Sequence, residues 1–214
     1  NREQMKARGV REDLLPIAAR LPQLPYARES RRMVGVETLR GQDLYTRDRE
    51  GSAGRHWAGA VSINDYGFDL HGTEERLELD LDELDYHTDR GPFQLPFAVF
   101  IPQKVDGFLA AEKNFAQSRL VNGATRLQPS TMLNGQAVGA IAALAARQGV
   151  QPRALNIIEV QAALLAGGDT LMSRWYTDVE WGTPLWEATQ LLGLYGLMDR
   201  PGPMVAKGIL GDTA

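Results

Sequence analysis

An α+β fold is predicted for this chain: a mixed or antiparallel sheet, a strand leading into one long helix, and a helical tail. Three observations predict it. Short apolar runs at 32–38, 58–70, 97–101 and 107–111 read as strands. Thr131–Arg147 holds apolar and small residues at helical spacing over a length few strands reach. Helical patterns recur beyond it, at 156–165 and 185–192.

Taken in order, residues 2–20 read as a charged helix, with Met5, Val10, Leu14, Ile17 and Ala18 loosely on one face and Pro16 kinking or ending it. Pro22 and Pro25 mark a turn. Arg32–Thr38 alternates as a strand does, and Gly41–Arg47 fits a short helix. Val61, Ile63 and Tyr66 would line one face of a strand over 58–70, with an irregularity at Gly67. The stretch 73–90 is dense in Glu and Asp, which predicts a solvated loop or hairpin; no calcium-loop spacing appears in it. Phe97–Ile101 and Gly107–Ala111 read as short buried strands. Ser130 or Thr131 is expected to cap the long helix, with Gly149 as its stop and Pro152 opening the next unit. Gly167-Gly168 ends the helix at 156–165, and Pro201-Gly202-Pro203 ends the tail.

Composition narrows the function classes. With 214 residues, 43% hydrophobic and 23% charged, the chain can bury a sizeable core, as one domain with a small appendage. A net charge of −4 gives no basic footprint for nucleic acid. No apolar run approaches the ~18 residues that span a bilayer. The absence of cysteine removes disulfides, thiolate nucleophiles and cysteine-bound metal from consideration. No metal site is expected.

The segment Val105–Val150 is the most informative. Its helix uses Gly and Ala heavily, which fits a backbone that something must approach closely, and a helix N-terminus suits an electron-rich ligand oxygen. Gly107-Phe108-Leu109-Ala110-Ala111-Glu112-Lys113, then Arg126, then Gly135-Gln136-Ala137-Val138-Gly139 resembles the stretch that closes the flavin site in FAD-dependent oxidoreductases of the glutathione-reductase/fumarate-reductase superfamily. Upstream, Pro25-Tyr26-Ala27-Arg28-Glu29-Ser30-Arg31-Arg32 with Gly35 is similar to the "PYxRESRR" element of the bacterial branch of that family. Asp65-Tyr66-Gly67-Phe68-Asp69-Leu70-His71 resembles its "Y-x-x-D-x-H" element, and Leu95-Pro96-Phe97 with Ile101-Pro102 its "IPYR…LIP" stretch. Glu112-Lys113 stands where the family usually has Gly-Arg, and Phe97-Ala98 replaces Tyr-Arg. No Gly-x-Gly-x-x-Gly turn with an acid about 20 residues on is found, so the chain is expected to be the C-terminal part of a flavoprotein or one subunit of a split one. The tail around Tyr176-Thr177-Asp178-Val179 and Trp186 resembles a single S-layer-homology unit, or serves as an amphipathic cap on the parent domain.

The resemblance implies FAD as cofactor, a small polar substrate, and four regions: 1–104 substrate-domain-like, 105–150 flavin-closing, 151–168 a helical linker, and 169–214 the S-layer-like tail. On the substrate side it points to Arg28, His71 and Arg126. Arg28 and Arg32 share a strand face and would meet a carboxylate or sugar, or pair with Glu29 and Glu37. Asp69 and His71, two apart, fit an oriented base or a structural pair. Arg126 would hold an anion or pair structurally. On the flavin side it points to Ala111, Glu112, Thr131, Met132, Gly135 and Gln136. A carboxylate at 112 is unfavourable beside flavin phosphates, which implies a different contact or weaker binding. The implied partners are a dinucleotide-binding half, in the same or a separate chain, and the substrate. A non-catalytic scaffold associated with the cell envelope is the alternative, with periplasm or envelope preferred to cytoplasm.

Overall fold

A computed structural model of the chain describes residues 2–9, 11–14, 27–29, 31–44, 54–69, 92–172, 176 and 178–198. Its elements, in order, are helices α1 (Arg2–Ala7) and α2 (Gly41–Leu44), strands β1 (Ala60–Asn64) and β2 (Phe93–Pro96), and helices α3 (Arg119–Thr125), α4 (Gln128–Gln148), α5 (Ile157–Ala166) and α6 (Pro184–Leu194). Short 3-10 turns lie at Glu12–Leu14, Phe97–Phe100 and Pro152–Ala154. This mixture of helices with a small antiparallel sheet is an α+β arrangement. Of the helix expected over 2–20, only its first turns and one 3-10 turn are described. The acidic stretch 73–90 lies outside the described residues.

β1 and β2 pair antiparallel, with Ile63 opposite Gln94 and Asn64 opposite Phe93, and an irregularity between Ala60 and Ser62. Every residue of both strands is buried. α4 and α5 pack on β1 and α2 on β2, which accounts for strands without a solvent-exposed face. The strand expected at 58–70 is thus shorter, and β2 takes in Leu95-Pro96 instead of the run that follows. Phe97–Ile101 was expected to extend and coils instead, because Pro96 has no N–H to continue the ladder and the Phe97 N–H turns to the Gly59 carbonyl at 2.8 Å. Gly107–Ala111 is not a strand either. Gly107 takes a left-handed φ of 67° and gives its N–H to Gln151 Oε1 at 2.7 Å, so the chain turns there. Arg32–Thr38 forms only an isolated bridge, Gly35 to Pro102.

The long helix begins three residues before Thr131. Leu127 is its N-cap and makes no side-chain cap, while Pro129 occupies the first turn, a position for which its fixed φ and missing N–H suit it. Ser130 and Thr131 therefore fall inside the helix and do not cap it. Ser130 is buried, and Thr131 Oγ1 donates back to the Gln128 carbonyl at 3.0 Å. The far end is as expected: Gly149 adopts a φ of 68° and its N–H reaches the Ala145 and Ala146 carbonyls. Asn156 caps α5 through the Ile158 N–H, and Thr183 caps α6 through the Trp186 N–H. α3 was not expected. Ser118 caps it, and every residue from Leu120 to Thr125 is buried.

One core joins these elements, running from Leu39 and Leu44 through Phe93, Phe100 and Phe115 to Ile141, Leu164, Trp186 and Leu194. Three buried glutamines tie non-repetitive chain to it. Gln94 accepts from the Trp57 N–H at 2.8 Å and donates to the Leu171 carbonyl at 2.7 Å. Gln161 donates to the Ala58 and Ala60 carbonyls and accepts from the Tyr195 hydroxyl. Gln190 Oε1 accepts from the Leu171 and Met172 N–H groups. Each satisfies backbone groups that a sheet would otherwise pair, and an orphaned one would cost about 1–3 kcal/mol.

Asp169, between α5 and α6, is 7% exposed, and its Oδ2 has no hydrogen-bond partner among the described residues. Burial pushes its carboxyl up to about 6 from 3.8. The folded state thus holds the proton more tightly than the unfolded state does. The stability this confers is complete below about 3.8 and is lost as pH rises through about 6. Thermal denaturation across that window should show Asp169→Asn removing this downward slope and melting above the parent at neutral pH. An unchanged slope would mean that Asp169 is solvated in the folded protein.

Candidate functional site

A cavity of about 410 Å³ opens on the segment that leaves β1, lined, among the described residues, by Asp65, Tyr66, Gly67, Phe68 and Asp69. That volume is in the range of small-molecule sites. α3 fixes the segment from behind. A Cβ on Gly123 would sit 2.9 Å from the Asp69 carbonyl oxygen, so only glycine lets helix and loop meet this closely. Three residues on, Arg126 Nη2 donates to the Asp69 carbonyl at 2.6 Å and lies 3.5 Å from its Oδ2. Arg126 Nη1 is 3.8 Å from Glu29 Oε1, while Glu29 Oε2 is 3.3 Å from Arg119 Nε. Two guanidinium groups and two carboxylates thus form one cluster. Arg126 is 3% exposed, a burial that a cation tolerates only when paired.

Asp65 has no ion-pair partner among the described residues, and burial raises its carboxyl above the usual carboxylate range. Immediately before it, β1 and α4 meet through polar side chains. Ser62 Oγ and Asn64 Nδ2 donate to Asn134 Oδ1 at 3.0 and 3.4 Å. Asn64 Oδ1 and Asn134 Nδ2 stay buried without a partner among the described residues. Turning both amides over leaves the same balance, one donor and one acceptor.

The sequence candidates distribute as follows. Arg28 and Arg126 come into one neighbourhood through α3: Asn122 Nδ2 donates to the Arg28 carbonyl at 3.2 Å, and Glu29 reaches Arg126. The Arg28 side chain is exposed. Arg126 takes the ion-paired position. Arg32 is half-buried. His71 lies outside the described residues.

Ala111 and Glu112 sit on a separate turn closed by the Asn114 N–H to the Ala111 carbonyl. Glu112 has a left-handed φ of 58°, a conformation that favours glycine, the residue the resemblance places at this position. Its carboxylate pairs with Lys113 Nζ at 2.8 Å. Thr131 and Met132 lie in the first turns of α4, and Met132 is 74% exposed. A Cβ on Gly135 or Gly139 would meet nothing within 4 Å, whereas Gln136 reaches towards Gly167 at the end of α5. Sequence reasoning missed Arg119 and the Asn64–Asn134 contact, and it named Glu29 as a partner for Arg28 and Arg32, whereas Glu29 lies against Arg119 and Arg126. Only the Asp65–Asp69 motif signalled the cavity.

The residues present fit one side of a flavin. α4 starts without a side-chain cap, so N–H groups of its first turn are free of that competition. Met132, Gly135 and Gly139 leave an open, small-residue face that a flat ring can approach. The glycine turn that would hold the pyrophosphate is not found in the sequence. No helix among the described residues is long and apolar enough to cross a membrane. No group of three or more His, Asp or Glu among them could hold a metal ion.

No curated protein and no solved structure matches the chain. A family model described as FAD dependent oxidoreductase matches residues 2–164, most of its length. The chain belongs to the FAD-dependent oxidoreductase family, whose cofactor is FAD.

Proposed function

We propose that this chain supplies the flavin-facing helix and the substrate-facing surface of an oxidoreductase acting on a small polar substrate. The observation that carries this reading is the open face of α4, Met132 with Gly135 and Gly139, in a chain of this family. Thr131, Met132, Gly135 and Gln136 would meet the flavin, with Ala111 and the Glu112 turn beside it. Bound FAD supplies the acceptor for a hydride. The protein's part is to bind, orient and exclude water. Arg28 and His71 stand on the substrate side, His71 as base. Arg126 acts as a positioning residue, because its charge is already met by Asp69 and Glu29.

A dinucleotide-binding half, in this chain or another, would complete the site. Val34 and Val36 are 70% and 53% exposed, and Val105 and Phe108 are 57% and 51% exposed, on segments joined by the Gly35–Pro102 bridge. An apolar surface of this kind favours a packed neighbour. The regions 1–104, 105–150, 151–168 and 169–214 are proposed as substrate side, flavin-closing unit, linker and tail. The tail is proposed as a cap on the domain, supported by Trp186 and Leu194 in the common core.

Two measurements test this. FAD retention, read as visible absorbance after gel filtration of the chain with its dinucleotide-binding half, should be lost in Gly135→Leu. Gly135→Ala should stabilise the chain by about 0.5–1 kcal/mol, since that Cβ meets open space in a helix interior. Full retention by a folded Gly135→Leu protein would remove α4 from the flavin site. Arg126→Met should cost about 1–3 kcal/mol in chemical denaturation, and Arg126→Lys less, because the methionine removes the donor to the Asp69 carbonyl while Glu29 keeps Arg119. Equal stability of Arg126→Met and the parent would show that the cluster is dispensable.

A further inference from the structure

α6 is apolar on both of its faces. Trp186 and Leu194 lie in the common core, and Gln190 Oε1 holds the Leu171 and Met172 N–H groups. Met172 Sδ and Cε fill the space that a Cβ on Gly193 would take. The helix therefore cannot turn to hide its other side without orphaning those two N–H groups. On that other side stand Pro184, Leu185, Ala188 and Leu192, and these are all of its exposed residues. Glu187, the one charged residue of α6, is half-buried. Trp181 extends the stripe at one end. At the other, Gly196 takes a left-handed φ of 66° and the Leu197 N–H reaches the Leu192 carbonyl at 2.9 Å, which brings Leu197 back to the helix end. Trp181, Leu185, Leu192 and Leu197 are 55%, 60%, 41% and 71% exposed. A single exposed leucine is ordinary on a protein surface, but a helix apolar all round is normally buried.

The order of residues along the stripe selects what covers it. Leu185 lies three residues before Ala188 and Leu192 four after it, while Trp181 lies seven before and Leu197 nine after. The stripe thus reads nearly the same in both directions. A second copy running antiparallel, with Ala188 on the twofold axis, sets Leu185 against Leu192 of the partner subunit and Trp181 against Leu197 of the partner subunit. The smallest side chain falls at the crossing, where two helix axes can approach to about 8 Å. The exposed side of α6 carries no charge to repel its own copy. Nor does the helix hold the Lys or Arg by which an interfacial helix grips an anionic membrane. We infer that α6 joins two copies of this chain as an antiparallel helix pair centred on Ala188. Five residues are far fewer than the roughly 20–30 a side of a stable interface, so the dimer is weak and dissociates on dilution. It forms with or without a flavin, and so does not rest on the oxidoreductase reading.

Sedimentation velocity on the protein, with its dinucleotide-binding half, tests this over a rising concentration series. The parent should sediment faster as concentration rises through the micromolar range. Leu192→Glu, its fold checked by circular dichroism, should associate about tenfold more weakly or not at all, since each dimer loses two buried leucines. Because this chain has no cysteine, oxidative cross-linking reads the register directly. Ala188→Cys should cross-link into a dimer, with the oxidised parent as the blank. Leu185→Cys alone should not, because its two copies would sit about 9 Å apart along the helices, beyond the reach of a disulfide. Leu185→Cys combined with Leu192→Cys should restore the cross-link. A parent that stays monomeric at every concentration would overturn the inference, as would a folded Leu192→Glu protein that associates like the parent. Leu185→Cys cross-linking as readily as Ala188→Cys would overturn the antiparallel pairing. A parent that dimerises only after residues 199–214 are removed would give the stripe to that segment, and a monomer that pellets with phosphatidylcholine vesicles would give it to a membrane; either result overturns the second copy.

Discussion

The guanidinium of Arg126 is the constraint around which the site is arranged. It is 3% exposed, and an unpaired cation at such a depth would cost several kcal/mol. Meeting that charge takes the Asp69 carbonyl, the Asp69 carboxylate and Glu29 together. The first two come from the chain leaving β1 and the third from the segment before the Gly35 bridge, so two distant stretches must converge on the end of α3. Gly123 permits the approach, since any side chain there would strike the Asp69 backbone. The cavity at Asp65–Asp69 therefore opens on a loop that α3 holds in place by close backbone contact and a buried charge.

The sequence announces local features and conceals distant ones. α4 was legible because its length and small-residue pattern leave little but a helix, and Gly149 marks its end through its own left-handed backbone. Its start was misplaced because Ser130 and Thr131 look like caps, whereas Pro129 is better placed inside the first turn. The apolar runs 97–101 and 107–111 carry strand composition, yet Pro96 and Gly107 decide their geometry. Composition is a weak guide where a single residue controls the backbone. Gln94, Gln161 and Gln190 could not be placed at all. Their partners lie up to 103 residues away, and a buried glutamine has the same appearance in a sequence as an exposed one. The motif Asp65–Asp69 did mark the cavity, but its electrostatic character follows from Glu29 and Arg119, which the motif does not contain.

α4 presents the opposite economy from α3. Glycine in a helix interior costs about 1 kcal/mol against alanine. At Gly123 close packing offsets that cost. At Gly135 and Gly139 nothing among the described residues does, because a Cβ at either position would meet none of them within 4 Å. Two such residues lie on one exposed face, beside a 74% exposed Met132, and leave room for something else to approach it. In a chain of the FAD-dependent oxidoreductase family, the flavin and the unit that carries it are the groups for which that room is proposed.

Glu112 fits the same logic from the side of the backbone. A non-glycine residue at a φ of 58° pays roughly 1 kcal/mol or more in steric strain. The surrounding turn must therefore hold it there. Its charge does not stand alone, because Lys113 Nζ lies 2.8 Å away with the lysine side chain only 13% exposed. Where the resemblance has Gly-Arg, Glu-Lys thus combines a glycine-like backbone with a cation, and adds an anion that cancels most of that cation's field. A phosphate brought near this turn would find little net positive charge. For the flavin contact proposed at this turn, a neutral part of the cofactor, such as a ribityl chain or ring edge, would meet no such penalty, and the glycine-like backbone of Glu112 bears on it more than the charge does.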